Sequence, residues 1–220
     1  MMIPQAIGIG RYPQPIRRSR IATQMIPPPA LTQRALGDAL DHIAQAAHCQ
    51  AGAVIALGGA FAAGLAQATA NVSLEEGGAD EALRAAQHMQ HTMAQARARF
   101  QSLAQQDAEA IAAFVDLRRR GQALAGYELL CDGPRQMADL AISAAHAMQD
   151  YRAHVCERTR DDLEFALVLM SSTARAAMLL LDSNLRIWPL PALIAQYDPH
   201  TARLASAISL LRPVSRIRSG

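Results

Sequence analysis

Two carboxylates and a scattering of histidines are the residues of this chain whose types and spacing could do chemistry. Asp107 and Glu109 stand in Asp-Ala-Glu-Ala-Ile, among small apolar neighbours. Desolvation raises the pKa of a carboxylate in such surroundings, which lets it serve as a general acid or base near neutral pH. Helical spacing puts the two on different faces. Glu109 therefore reads as solvent-facing, while Asp107 suits a proton-moving role and a structural one equally. His88 and His91 stand three apart, which on a helix could form one edge of a metal site. No local carboxylate or cysteine completes that set, so no metal site is expected and both rings read as exposed. His42 and His48 flank the end of a helix, where positive charge suits the dipole. His146 and His154 need no special role. Ser171-Ser172-Thr173 fall mid-helix, where hydroxyls bond back to the preceding turn, and no nucleophile motif surrounds them.

The elements that position these groups are helical. Aromatic residues are only 4% of the chain and β-branched residues are sparse, which argues against a sheet. The spacing predicts an all-α bundle of about five long helices plus a short C-terminal one. Residues 1–30, with Pro4, Pro13, Pro15 and Pro27-Pro28-Pro29, read as an extended arm. Thr32 would cap a helix over 33–47. Residues 49–66 are apolar all round and rich in Gly and Ala, which predicts a central helix buried on every side and packed at short range. This helix extends to about 73. Asp80 would cap a long helix to about Arg120, and Gly121, Gly126 and Gly133 read as a connector. Pro134 would start the next helix, to 156, and Asp161 or Asp162 would cap another, to about Leu185. A short helix is expected near 199–211. The stretch 51–70 approaches the length of a membrane span, but its glycines and Gln67, among amphipathic neighbours, favour a buried soluble helix.

Charge and cysteine usage narrow the function classes. All 21 basic residues are arginine, so lysine Schiff-base chemistry is excluded. Residues 1–34 hold five arginines and no acid, and 186–220 hold five against one acid. The segment between carries eleven arginines and eighteen acids. Basic ends on an acidic body fit fold-back contacts, and without interleaved aromatics they do not point to nucleic acid. Cys49, Cys131 and Cys156 are odd in number and widely spaced. That describes neither a disulfide framework nor a zinc site, and fits the cytoplasm.

Taken in order, several weak motifs resemble the cyclodeaminase/cyclohydrolase family over about 31–186. They are Leu36-Gly37-Asp38-Ala39-Leu40, Val54 through Phe61, Asp107 through Ile111, Pro134 through Ala141, and Asp162-Leu163 leading to Arg175 and Asn184-Leu185. The resemblance implies a dimeric all-α fold acting on a tetrahydrofolate-type reduced pterin, by methenyl hydrolysis or formimino cyclisation, with no metal or redox cofactor. It implies Asp107 as the proton-moving group, with Asp38 assisting it or orienting the pterin ring. Gln50, Gly52, Ala53, Asp162 and Arg175 are the implied substrate contacts, and 187–220 would be a basic extension. Departures stand beside the matches. Cys49-Gln50-Ala51-Gly52-Ala53 replaces a glycine-rich, serine-ended turn, Leu180 stands where asparagine is expected, and the connector before Pro134 is shorter and lacks a lysine. An altered substrate, or a noncatalytic relative that keeps the dimeric scaffold to bind pterin or a partner, is the alternative reading.

Overall fold

Small residues at the centre set the spacing of the whole bundle. The computed structural model describes residues 36–46 and 50–218. Its helices are α1 (Leu36–Gln45), α2 (Ala51–Glu76), α3 (Asp80–Arg119), α4 (Ala123–Tyr151), α5 (Arg160–Ile187) and α6 (Pro191–Ser209), with one 3-10 turn at Glu157–Thr159. No strand occurs among the described residues. Helix α2 packs against α3 on one side and α5 on the other, and α4 closes the bundle against both. Ala53, Ala56, Ala62, Ala63, Ala66 and Ala70 are wholly buried along α2, where their short side chains let neighbouring helices approach closely. At Gly59 a Cβ would lie 2.7 Å from the fully buried Phe100 ring of α3, so this glycine is dictated by packing.

The expectation that α2 is buried on every side holds for only part of its circumference. Only 44% of its most apolar window lies inside the fold, and Phe61 and Val54 are exposed. By length and hydropathy alone, α2 and the stretch Glu157–Ile187 would each suffice to cross a membrane.

Several helix boundaries differ from expectation, among them the end of α4, at Tyr151 and not 156. Gly77 and Gly78, at φ +78° and +138°, turn the chain between α2 and α3. Asp80 lies in the first turn of α3 with Ala79 at the cap, where its charge still suits the dipole. Asp161 and Asp162 likewise sit in the first turn of α5, after Thr159. Helix α4 begins at Ala123, not at Pro134, and runs through that proline. One backbone hydrogen bond is lost there, but Pro134 is buried and the helix continues past it. Gly126 reads as a loop residue by composition, yet a Cβ there would lie 2.8 Å from Phe114. Its role is close packing, and Gly121, at φ +75°, alone supplies the turn.

The C-terminal helix is longer than the short one expected. It starts with Pro191 in its first turn, continues through Pro199, and buries Leu193, Tyr197, Leu204 and Ile208 in the main core. Arg203 pairs with Asp139 at 2.6 Å, so this basic end does fold back on the acidic body. Near it, Arg152 binds both Glu164 oxygens at 2.6 Å and donates to the Arg212 carbonyl. The arm at 1–30, Thr32, His48 and Cys49 lie outside the described residues.

Candidate functional site

The first turn of α2 and the middle of α3 meet at one carboxyl group. The first N–H groups of a helix have no partner within it. In α2 the side chain of Gln50, the residue at the cap, makes no capping hydrogen bond. Asp107 substitutes from a distance: the Ala53 amide donates to Asp107 Oδ2 at 2.8 Å. Gly52 makes this possible, because a Cβ there would collide with Asp107 Oδ1 and Cγ and lie 2.7 Å from Oδ2. Asp107 Oδ1 has no hydrogen-bond partner among the described residues. Burial pushes the Asp107 pKa above its ordinary 3.8, and the Ala53 N–H pulls partly the other way. A fixed carboxyl that holds its proton more tightly than an ordinary carboxylate is suited to general acid–base transfer.

Asp107 opens into a cavity of about 100 Å³, which suits one end of a ligand. Gln50, Ala51, Gly52, Ile111, Leu180, Asn184 and Trp188 are among its lining residues. Asn184 donates to the Leu130 carbonyl at 2.7 Å and so ties the end of α5 to α4. Gln50 Nε2 faces His42 Nε2 at 3.4 Å, while Gln50 Oε1 is buried and unpartnered among the described residues. Asp107 also borders a second hollow with Gln106, Leu129, Asp132 and Gln136.

Of the residues expected in the site, the structure brings together Asp107, Gln50, Gly52 and Ala53. Asp38 is exposed in the first turn of α1, outside the lining, although the adjacent Ala39 packs on Ala53. Arg175 is exposed on α5. Asp162 lies 22 residues before Asn184, which is about 33 Å along the helix. Within one chain neither reaches this cavity. Leu180, which stands where the resemblance expects an asparagine facing the ligand, does line the cavity, whereas Asn184 and Trp188 were not expected there. All three come from the far end of α5, and for the latter two only the matched Asn184-Leu185 pair was a hint.

A larger hollow of about 410 Å³ between α3 and α4 gathers His88, His146, Asp150, Tyr151 and His154. Sequence spacing alone does not join these histidines. No three His, Cys, Asp or Glu side chains among the described residues are placed to hold a metal ion.

An all-α bundle whose central small-residue helix is capped by a carboxyl from its neighbour is the class that fold and site define. The chain belongs to the formiminotransferase-cyclodeaminase family, whose model matches residues 36–189. No curated protein matches it. Among solved structures, the crystal structure of formiminotetrahydrofolate cyclodeaminase from Thermotoga maritima superposes with a TM-score of 0.73 at 18% identity, covering 80% of this chain and 91% of that one. That likeness shows a shared fold.

Proposed function

We propose that this protein is a one-carbon enzyme acting on a methenyl- or formimino-substituted tetrahydrofolate or related reduced pterin, with Asp107 moving the proton. Family membership supports the substrate class. The observation that carries the chemistry is the Asp107 carboxyl, held by the Ala53 amide with Oδ1 free at the cavity. In hydrolysis, ionised Asp107 takes a proton from water as its oxygen bonds to the methenyl carbon between two nitrogens. The tetrahedral adduct then breaks one C–N bond as Asp107 returns that proton to the departing nitrogen, and the hydroxyl of the adduct releases its own proton to solvent, leaving an N-formyl group. In cyclisation, the second nitrogen of the bridge attacks the carbon of the protonated formimino group, and ionised Asp107 takes the proton that this nitrogen sheds and passes it to the formimino nitrogen, which departs as ammonia and leaves the methenyl bridge. Both routes are proton transfers and need no metal or redox cofactor. The protein is read as cytoplasmic, with no nucleic-acid or membrane partner.

The functional unit in this reading is a homodimer. Helices α2 and α5 pack together and expose Val54 and Phe61, and Phe165, Val168, Leu169 and Leu179. A second copy would cover these side chains and would bring another Asp162 and Arg175 within range of consideration for each site. One observation favours a noncatalytic pterin-binding relative instead: apolar Leu180 lines the cavity, where a polar group would serve a charged intermediate better.

The purified protein should accelerate loss of the methenyltetrahydrofolate absorbance, or form it from the formimino compound with release of ammonia. If neither rate exceeds the uncatalysed one while a reduced pterin still binds, the noncatalytic reading holds.

A further inference from the structure

The cavity beside Asp107 has a wall that proton transfer does not use. Trp188, the single tryptophan of the chain, ends α5 and lines that cavity. Its indole packs on Tyr127 at 5.4 Å and on Phe114 at 5.9 Å between ring centroids, and those two rings stand 5.2 Å apart. The three rings form one cluster. Gly126 lets it close, since a Cβ there would strike Phe114, and the Arg118 guanidinium stacks on Phe114 at 5.6 Å. An indole braced in this way is a stiff platform that needs no ordering when a flat ligand arrives.

Gln50 supplies a second, independent feature of the same cavity. Its amide nitrogen is directed to His42, so its oxygen is turned elsewhere, buried and without a donor among the described residues. A buried acceptor without a donor is destabilising, and a bound N–H relieves the penalty. Leu180, Ile111 and Leu130 add an apolar edge, and Asp107 and Asn184 are the other polar groups of the lining. The site therefore offers an aromatic face, an apolar edge and, beside the Asp107 carboxyl that moves the proton, a second acceptor without a donor in Gln50 Oε1.

We infer that Trp188 and Gln50 form a ring-reading subsite, in which a planar nitrogen heterocycle stacks on the indole and donates a ring or exocyclic N–H to Gln50 Oε1. This rests on the one-carbon reading, where the heterocycle is the ring of the reduced pterin, and it adds which residues select that ring. An acceptor chooses rings with an N–H edge. A ring of the same shape with that edge methylated leaves Oε1 unpaired and is rejected.

The test is a titration of the full-length protein, followed by Trp188 fluorescence and by calorimetry. The probes are a 5-formyl-tetrahydropteridine with a 2-amino-4-oxo edge and its analogue methylated at every edge nitrogen. The N–H probe is expected to quench Trp188 saturably and to bind about tenfold more tightly than the methylated one. Gln50→Met, of similar shape without the acceptor, should remove that preference by weakening only the N–H probe. Trp188→Phe should bind both probes more weakly by calorimetry, with far-UV circular dichroism confirming that each variant is folded. Saturable binding with unchanged Trp188 fluorescence, or a Gln50→Met protein that keeps the preference, would overturn the subsite. Turnover of methenyltetrahydrofolate alongside either result leaves the one-carbon reading standing. Selective quenching without turnover supports the subsite and removes the catalytic reading, and absence of both binding and turnover overturns the two together.

Discussion

Asp107 occupies the space that a side chain on Gly52 would fill. Its Oδ2 accepts the Ala53 amide at 2.8 Å across 54 residues of sequence. One glycine thus fixes where the carboxyl sits, what it bonds to and how far it is withdrawn from water.

Gly52→Ala tests that relationship. The new Cβ must displace the carboxyl or the first turn of α2, and overpacking of this kind costs about 1–3 kcal/mol. The expected result is a melting temperature several degrees lower, measured calorimetrically, with a loss of turnover larger than the stability loss explains. A protein of unchanged stability and activity would show that Asp107 has another resting place.

The raised Asp107 pKa carries a pH signature with a definite sign. Because burial raises it from 3.8 in the folded state, the native protein holds a proton there that the unfolded chain has released. The group's contribution to stability is therefore fully present below pH 3.8. It falls as pH rises through the window up to the folded pKa, and is constant beyond it. Asp107→Asn removes this titration. The difference in unfolding free energy between wild type and variant should shift in the variant's favour as pH rises through that window, and a pH-independent difference would contradict the raised pKa.

Much of this was legible in the sequence, for physical reasons that can be named. Residues 49–66 showed a helix chosen for close approach, and Gly59 against Phe100 and Gly52 against Asp107 are those approaches. Asp107 stood out because small apolar neighbours imply desolvation. The start of α4 was not legible, since Gly126 and Pro134 carry loop signals that tertiary packing overrides. Nor was the second wall of the cavity: Trp188 reaches it from 81 positions beyond Asp107, and no periodicity encodes such a meeting. Asp38, Asp162 and Arg175 came from resemblance alone, and the fold sets them apart from the carboxyl within one chain.

Arg152 joins α5, through Glu164, which is only 8% exposed, to the C-terminal segment, through the Arg212 carbonyl. Arg152→Ala leaves that carboxylate without its cation, at a cost of about 2 kcal/mol once the partial exposure of the pair is allowed for. Denaturant unfolding should register the loss, and Glu164→Gln in the Arg152→Ala background should recover part of it.

Phe61, 59% exposed on α2, tests the dimer. Phe61→Glu should convert a dimer to a monomer in light scattering coupled to gel filtration, with helix content unchanged. A wild-type protein that is monomeric at micromolar concentration would remove the second copy from the account.

The most direct test of the central claim is kcat/KM for methenyltetrahydrofolate in wild type and Asp107→Asn. Asparagine keeps an acceptor for the Ala53 amide, so the variant should fold with a melting temperature close to wild type. Loss of the proton-moving group is expected to lower kcat/KM by at least about 100-fold. A folded Asp107→Asn protein within twofold of a measurably active wild type would mean that the carboxyl only caps α2, and the proposed chemistry would be wrong.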